Sequence, residues 1–233
     1  MIDSILKDIY SHSDETKAKL LARFFKTGRG QYGEGDIFWG LTVPVSRKLA
    51  QKYQDLSFKN INLLLKNKVH EVRLVSILVL VHRYKNGTTE EREKIVQFYL
   101  RNTKYINNWD LVDLSASRIL GEYLFFKKDK NILIQLARSK NLWEKRIAII
   151  TTLAFICRGE SKWTFRIARL LLKDKHDLIH KAVGWMLREV GKRVSEKELK
   201  NFLDQNIKIL PRTMLRYAIE KFPQNTRLEY LKK

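Results

Sequence analysis

The chain has 233 residues, 44% of them hydrophobic, which is enough length and apolar character to bury a core. It carries 46 Lys and Arg against 25 Asp and Glu, and a formal net charge of +21 is typical of proteins that bind a polyanion such as DNA or RNA. No run reaches the roughly 18 apolar residues of a membrane span, and no signal peptide is evident. The single cysteine, Cys157, excludes an internal disulfide and a cysteine-based zinc cage, so we expect a cytoplasmic protein that does not bind membranes.

Helical periodicity recurs along the chain and predicts about 14 helices joined by short links, within a single domain over residues 1–233. Helix N-caps are predicted at intervals, at Ser13-Asp14, Ser57, Thr88-Thr89, Asn107-Asn108, Ser161 and Ser195. One irregular insert, at about residues 27–42, interrupts this rhythm. Its Gly28, Gly30 and Gly33 have the spacing G-x-G-x-x-G, but no strand precedes them, so a loop is predicted rather than a dinucleotide site.

Five segments look like the second helix of a helical pair: VHEVRLVSILVL, NWDLVDLSAS, LWEKRIAIITTL, LIHKAVGWMLRE and PRTMLRYAIEKF. Aligning them places Arg73, Asp113, Arg146, Lys181 and Arg216 in one register, with separations of 40, 33, 35 and 35 residues. Such a period is typical of two-helix repeats of the HEAT kind. The sequence therefore predicts an all-α fold of HEAT-like pairs stacked into a curved solenoid with a concave basic groove.

Four of the five residues in this register are cationic, and equivalent positions of stacked repeats line up along one face. Arg73, Arg146, Lys181 and Arg216 therefore predict a track for nucleic-acid phosphates. Asp113 interrupts the row and suits phosphate binding badly. On its own, Asp113 is explained most simply by a salt bridge to a neighbouring Arg or Lys, and a catalytic carboxylate is the alternative.

Two tryptophans lie one helical turn from charged residues. Trp109 precedes Asp113 by four positions, and Trp185 follows Lys181 by four, so each pair shares a helical face. Trp185 points away from the apolar stripe of its helix, beside Lys181 and Arg188. It is either a platform on which a base or sugar stacks or a residue that packs against a neighbouring repeat. The five histidines lack a metal-ligand spacing, and no P-loop, H-E-x-x-H or C-x-x-C occurs, so no metal or nucleotide cofactor is expected.

Four segments also resemble the signatures of the AlkD-like DNA alkylation repair family. Residues 108–113 (NWDLVD) are similar to its W-D-x-V-D motif, and residues 143–149 (WEKRIAI) to W-x-x-R-x-A-I. Residues 181–189 (KAVGWMLRE) match K-A-[IV]-G-W-x-L-R-E, the most specific of the four. Residues 40–47 (GLTVPVSR) fit G-[VI]-x-x-P-x-x-R, so the four segments occur in order across residues 40–189. Asn108 stands where the family often has a second tryptophan, and Phe24 where it has a tyrosine.

The resemblance implies a DNA glycosylase that excises purines alkylated at N3 or N7 from duplex DNA, without a cofactor and as a monomer. It implies that Asp113 is the catalytic carboxylate, that Trp109 and Trp185 flank the deoxyribose of the lesion, and that Arg146 contacts the DNA backbone. Lys181, Arg188, Arg73 and Arg216 are the further DNA-binding candidates. Two alternatives stay open: an inactive repeat module that binds branched or damaged DNA, and a protein-interaction solenoid with an acidic partner.

Overall fold

The computed structural model describes residues 2–232, which contain α-helices and no β-strand, so the predicted all-α fold is confirmed. The helices up to Ser115 are α1 (Ile2–Tyr10), α2 (Glu15–Phe24), α3 (Val43–Lys52), α4 (Phe58–Leu65), α5 (His70–Asn86), α6 (Thr89–Arg101) and α7 (Trp109–Asp113). Those that follow are α8 (Glu122–Phe125), α9 (Asn131–Arg138), α10 (Leu142–Thr151), α11 (Leu153–Ile156), α12 (Lys162–Leu171), α13 (Asp177–Arg193), α14 (Glu196–Asn206), α15 (Arg212–Ala218) and α16 (Gln224–Lys232).

Residues 25–42 contain no helix, and they cover the insert that was expected at 27–42. The chain forms two compact units, one up to Ser115 and the other from Ala116 onward, and each is described by itself below. The five segments aligned in the sequence register overlap α5, α7, α10, α13 and α15, one helix for each segment. Each segment therefore contains a helix, as predicted.

Side-chain caps begin most of the predicted helices. Asp14, Ser57, Thr88 and Ser195 each accept a hydrogen bond from the backbone N–H three residues later, as the capping pattern predicts. Ser161 precedes α12 but makes no such cap, because its hydroxyl donates to Glu198 instead. The predicted cap at Ser161 is therefore wrong, although the helix does begin there.

The core of the first unit surrounds α5, on which α3 and α4 both pack. Every residue of α5 from His70 to Leu80 is buried, because the helix is covered on all sides rather than along one stripe. Its N-terminus also holds the end of the irregular insert in place. The buried Glu71 carboxylate accepts hydrogen bonds from the backbone amides of Trp39, Gly40 and Leu41 at 2.8–3.2 Å.

Gly40 is required where the insert passes α2. Its φ is +89°, a left-handed conformation that favours glycine. A Cβ there would lie 2.1 Å from the carbonyl oxygen of Asp14. The glycine thus lets the insert run against the N-terminus of α2, where the Asp14 amide donates to the Trp39 carbonyl at 2.8 Å.

In the second unit, α10 packs on α13 and α13 on α15, as expected for successive repeats. The apolar stripe predicted on α13 is buried throughout, at Ile179, Ala182, Val183, Met186, Leu187 and Val190. Gly184 sets the distance between α13 and α15, because a Cβ at this position would lie 2.5 Å from the Met214 carbonyl oxygen and from Tyr217 Cβ. The two helix backbones are therefore close enough that only glycine fits.

We expect Gly184→Ala to destabilise the protein by about 1–3 kcal/mol, since the new methyl group would push against backbone that cannot move aside. Gly191→Ala on the same helix is the matched control. Its Cβ would meet the end of the Leu199 side chain, which can rotate, so the change should stay within about 1 kcal/mol. Thermal unfolding of both variants measures the difference, and equal melting temperatures would contradict the role given to Gly184.

Candidate functional site

Trp109 and Asp113 lie at the two ends of α7, one helical turn apart, and both are half-buried. The helix begins at Trp109 because the buried Asn108 caps it: Asn108 Oδ1 accepts a hydrogen bond from the Trp109 amide at 2.8 Å. Asn108 Nδ2 donates to Asp36 Oδ2 at 3.1 Å. The asparagine at the place of the family's second tryptophan therefore anchors the helix that carries both candidate residues.

The Trp109 ring is held by two phenylalanines from the end of α2. Phe25 stacks on it with 4.9 Å between ring centroids and 9° between planes, and Phe24 meets it edge-on at 5.8 Å. Phe38 in turn stacks on Phe25, with 5.0 Å between ring centroids. These contacts fix the orientation of the indole, and they cover one of its faces with protein.

Trp109 and Asp113 line one cavity of about 530 Å³, which we call the aromatic cavity. It lies entirely within the first unit. Its walls are mainly apolar, and its lining residues are Lys17, Leu20, Leu21, Phe24, Phe25, Phe38, Gly40, Leu41, Thr42, Val43, His70, Glu71, Leu74, Trp109, Asp110, Asp113 and Leu114. A carboxylate in such a setting is better able to stabilise a positive charge than one in water.

A buried polar network adjoins this cavity, and two of its residues, His70 and Asp110, line it. His70 Nε2 lies 2.8 Å from Asp110 Oδ2, and His70 Nδ1 lies 3.3 Å from Asp36 Oδ2. Arg73 Nη2 donates to Asp36 Oδ1 at 2.7 Å. We call Asp36, His70, Arg73, Asn108 and Asp110 the buried network. It joins the insert, the start of α5 and the start of α7. The sequence analysis did not predict this network, and it assigned Arg73 to DNA binding.

The charge state of His70 follows from its two carboxylate partners. Burial by itself lowers the pKa of this imidazole, but the charge and hydrogen bond of Asp110, together with the hydrogen bond to Asp36, outweigh burial and raise the pKa to about 9. Burial likewise raises the pKa of Asp36, yet His70 and Arg73 hold it below its ordinary value. At neutral pH His70 is therefore an imidazolium that donates from both nitrogens.

The remaining candidates lie in the second unit. Lys181, Trp185 and Arg188 share the face of α13 opposite its buried stripe, and all three are half-buried. Lys181 pairs with Asp177 at 2.7 Å, and Arg188 pairs with Glu220. Trp185 stacks on no other ring within residues 2–232, so the packing alternative gains no support from an aromatic contact.

The other cationic candidates differ in exposure. Arg216 is exposed on α15, whereas Arg146 is 5% exposed and donates to the Leu178 carbonyl at 2.7 Å. Arg73 is 4% exposed, and its guanidinium also donates to the carbonyls of Asn67 and Lys68. Arg73 thus points inward as part of the buried network, which does not fit the phosphate contact expected of it.

The comparisons with known proteins agree with this architecture. Residues 5–222 match the family model of DNA alkylation repair enzymes. The chain belongs to that family. Among solved structures, it is similar to a protein called a predicted DNA alkylation repair enzyme from Enterococcus faecalis, with a TM-score of 0.69 and 14% identity over 91% of this chain and 98% of that chain. No curated protein sequence matches significantly.

Membership in the DNA alkylation repair enzyme family supports a role in the repair of alkylated DNA, with DNA as the partner. The described residues hold no group of three or more His, Cys, Asp or Glu that could bind a metal ion. Between Ile2 and Lys232, no helix is both long and apolar enough to cross a membrane.

The buried network makes a prediction about pH. The pKa of His70 is about 9 in the folded protein, against 6.5 for an ordinary histidine in an unfolded chain, so its stabilising effect is complete below about pH 6.5. That effect is lost as the pH rises through 9. The wild type should have a larger free energy of unfolding than His70→Gln at pH 6.5, and we expect this difference to shrink by on the order of 3 kcal/mol by the time the pH has passed 9. Chemical denaturation of both proteins across this range measures it, and a constant difference would contradict the raised pKa of His70.

Proposed function

We propose that this protein is a DNA glycosylase that removes purines alkylated at N3 or N7 from duplex DNA by hydrolysing the N-glycosidic bond. The observation that carries the proposal is the position of Asp113. It lines an apolar cavity next to a fixed tryptophan, in a family member whose net charge of +21 suits DNA. A carboxylate placed in this way serves a reaction in which positive charge develops on a sugar.

The chemistry needs only one carboxylate. Alkylation at N3 or N7 gives the purine a positive charge, so the base leaves with the electron pair of the C1′–N bond and becomes neutral without being protonated. Glycoside hydrolysis with a neutral leaving group usually needs a second acid for that proton. The deoxyribose becomes oxocarbenium-like, and Asp113 stabilises it. Water then forms the new C1′–O bond and gives its proton to Asp113, from which it passes to solvent.

We assign Trp109 and Trp185 to the lesion nucleotide. An indole face attracts a cationic sugar or base, an effect worth about 0.5–2 kcal/mol. Trp109 is supported because Phe24 and Phe25 fix its ring, so little conformational entropy is lost when substrate binds. Trp185 is supported by its place on α13 between two cations, on the face that the helix does not bury.

We assign the phosphate contacts first to Lys181, Arg188 and Arg216, which lie on the less buried faces of α13 and α15. A phosphate can replace Asp177 as the partner of Lys181, and Glu220 as the partner of Arg188. Arg146 contacts the DNA backbone in this proposal from a position fixed by the Leu178 carbonyl. Arg73 is left out because the buried network uses it.

A non-catalytic module that binds branched or damaged DNA is the second candidate, and the net charge favours it equally. A protein-interaction solenoid is the third. DNA affinity that falls steeply with salt concentration separates the first two from the third, because cations bound to phosphates release counterions. Only release of a base separates the first from the second.

We expect the wild type to release 7-methylguanine or 3-methyladenine from methylated duplex DNA, and Asp113→Asn to do so about 100- to 1,000-fold more slowly because it removes the charge that faces the sugar. Single-turnover release of free base measures the rate, and binding to the same duplex serves as a check on affinity. Asp55→Asn is the matched control, since Asp55 is an exposed carboxylate outside the aromatic cavity. A wild type that releases neither base, or an Asp113→Asn variant as fast as the wild type, would disprove the catalytic assignment.

A further inference from the structure

Four exposed cations follow each other along the outward side of α12, three or four residues apart: Lys162, Arg166, Arg169 and Lys173. We call them the outer row. The first three lie within the helix, opposite its buried stripe, and the fourth lies in the turn that follows. This spacing places one cation on each successive helical turn of one face. α12 itself contains no acidic residue, so this face presents positive charge alone.

The outer row works against the stability of its own helix. Like charges three or four residues apart on a helix repel each other, and a cation in the first turn, here Lys162, opposes the helix dipole. The outward face of α14 mixes its charges instead, and Lys200 pairs there with Glu196 one turn away. Among residues 2–232, none of the outer-row cations is paired with a carboxylate. A face that meets only water has no need of such a row, which points to an anionic ligand.

Aromatic rings hold the two arginines of the outer row. Arg166 Cζ lies 4.7 Å from the centroid of the Trp163 ring. Arg169 Cζ lies 5.2 Å from the centroid of Phe202, which is buried and stacks on Phe165. A ring face attracts a guanidinium without taking up its N–H donors. Both arginines are thus oriented by their rings, while their hydrogen-bonding edges remain available to a phosphate.

The outer row points away from the DNA-binding candidates of α13. The buried side of α12 packs on α13, so the outer row lies on the far side of α12 from that helix. Lys181, Trp185 and Arg188 lie on the face of α13 opposite its own buried stripe. The two cationic faces therefore point in opposite directions within the second unit. DNA has a persistence length of about 150 base pairs, so bending one duplex around the unit to reach both faces is costly.

We propose that the outer row binds the phosphates of a second DNA segment while α13 and α15 hold the first. A duplex presents its phosphates in a regular series, which suits a regular row of cations. A membrane surface fits less well, because Leu170, at 38%, is the only exposed large apolar side chain of α12, a helix that the structure describes completely. Contacts to two segments would let the protein pass from one to the other without leaving DNA, which serves the search for rare lesions.

Capture of two duplexes by one protein tests the proposal. A short, unmodified duplex on a bead binds the protein, excess protein is washed away, and a second duplex with a fluorescent label is added. The outer-row variant changes all four of its cations to glutamine. The matched control changes four exposed cations of the first unit to glutamine: Lys59, Lys85, Lys94 and Arg101. Both variants lose the same positive charge, so a difference between them reports where the charges lie.

We expect the wild type and the control to retain the labelled duplex, and the outer-row variant to retain at least about tenfold less at unchanged affinity for the first duplex. Circular dichroism confirms that both variants fold. No retention by the wild type, equal retention by the outer-row variant, or an equal loss in the control would overturn the proposal. So would a matching loss of affinity for the first duplex, since the row would then belong to the first DNA site. Base release is not measured, so the glycosylase proposal fails or stands separately.

The wild type alone supplies a second test, which does not depend on how the variants fold. Four phosphate contacts predict that the binding constant of the second duplex falls with salt concentration, with a log–log slope of about −3.6. We also expect unlabelled duplex to displace the labelled one more effectively than phosphatidylserine vesicles or polyglutamate at equal negative charge. A slope near zero, or stronger displacement by the vesicles or the polyglutamate, would overturn the proposal in favour of a membrane or an acidic protein.

Discussion

The hydrogen-bonded imidazolium of His70 is the interaction on which the site depends most. It joins Asp36 of the irregular insert to Asp110 of α7, and these segments are far apart in the sequence. An ion buried to this degree is costly unless charges of the opposite sign satisfy it, and here two carboxylates do so. Losing any one partner leaves a buried charge uncompensated, so the position of α7 is tied to all of them.

This constraint explains how a chain with a large positive charge can hold an acidic site. The cations Arg73 and His70 neutralise Asp36 and Asp110. The Glu71 carboxylate accepts hydrogen bonds from the backbone amides of residues 39–41. Asp113 also lines the cavity. The cations of α13 and α15, by contrast, lie on the less buried faces of their helices, where a polyanion can reach them.

Much of the fold could be predicted because a helix shows in the sequence as a local periodic pattern of apolar residues. The stripe of α13 is periodic, so its buried residues were predicted correctly, and the spacing of Trp109 and Asp113 fixed their shared face. The aromatic cavity could not be predicted, because Phe25 and Phe38 belong to a segment without periodicity whose path depends on distant contacts with Glu71. The register identified Arg73 as one of a row but could not tell which way it points. A signal was present, since His70, Glu71 and Arg73 begin a helix that is otherwise apolar, and charged residues in such a place need buried partners.

A structure of the protein with duplex DNA that contains 2′-fluoro-7-methyldeoxyguanosine tests the central claim most directly. The fluorine destabilises positive charge on the sugar, so the bond to the base survives. The account predicts the Asp113 carboxylate about 3–3.5 Å from C1′ of the lesion. A lesion sugar bound away from Asp113, with that carboxylate paired to a Lys or Arg instead, would contradict it.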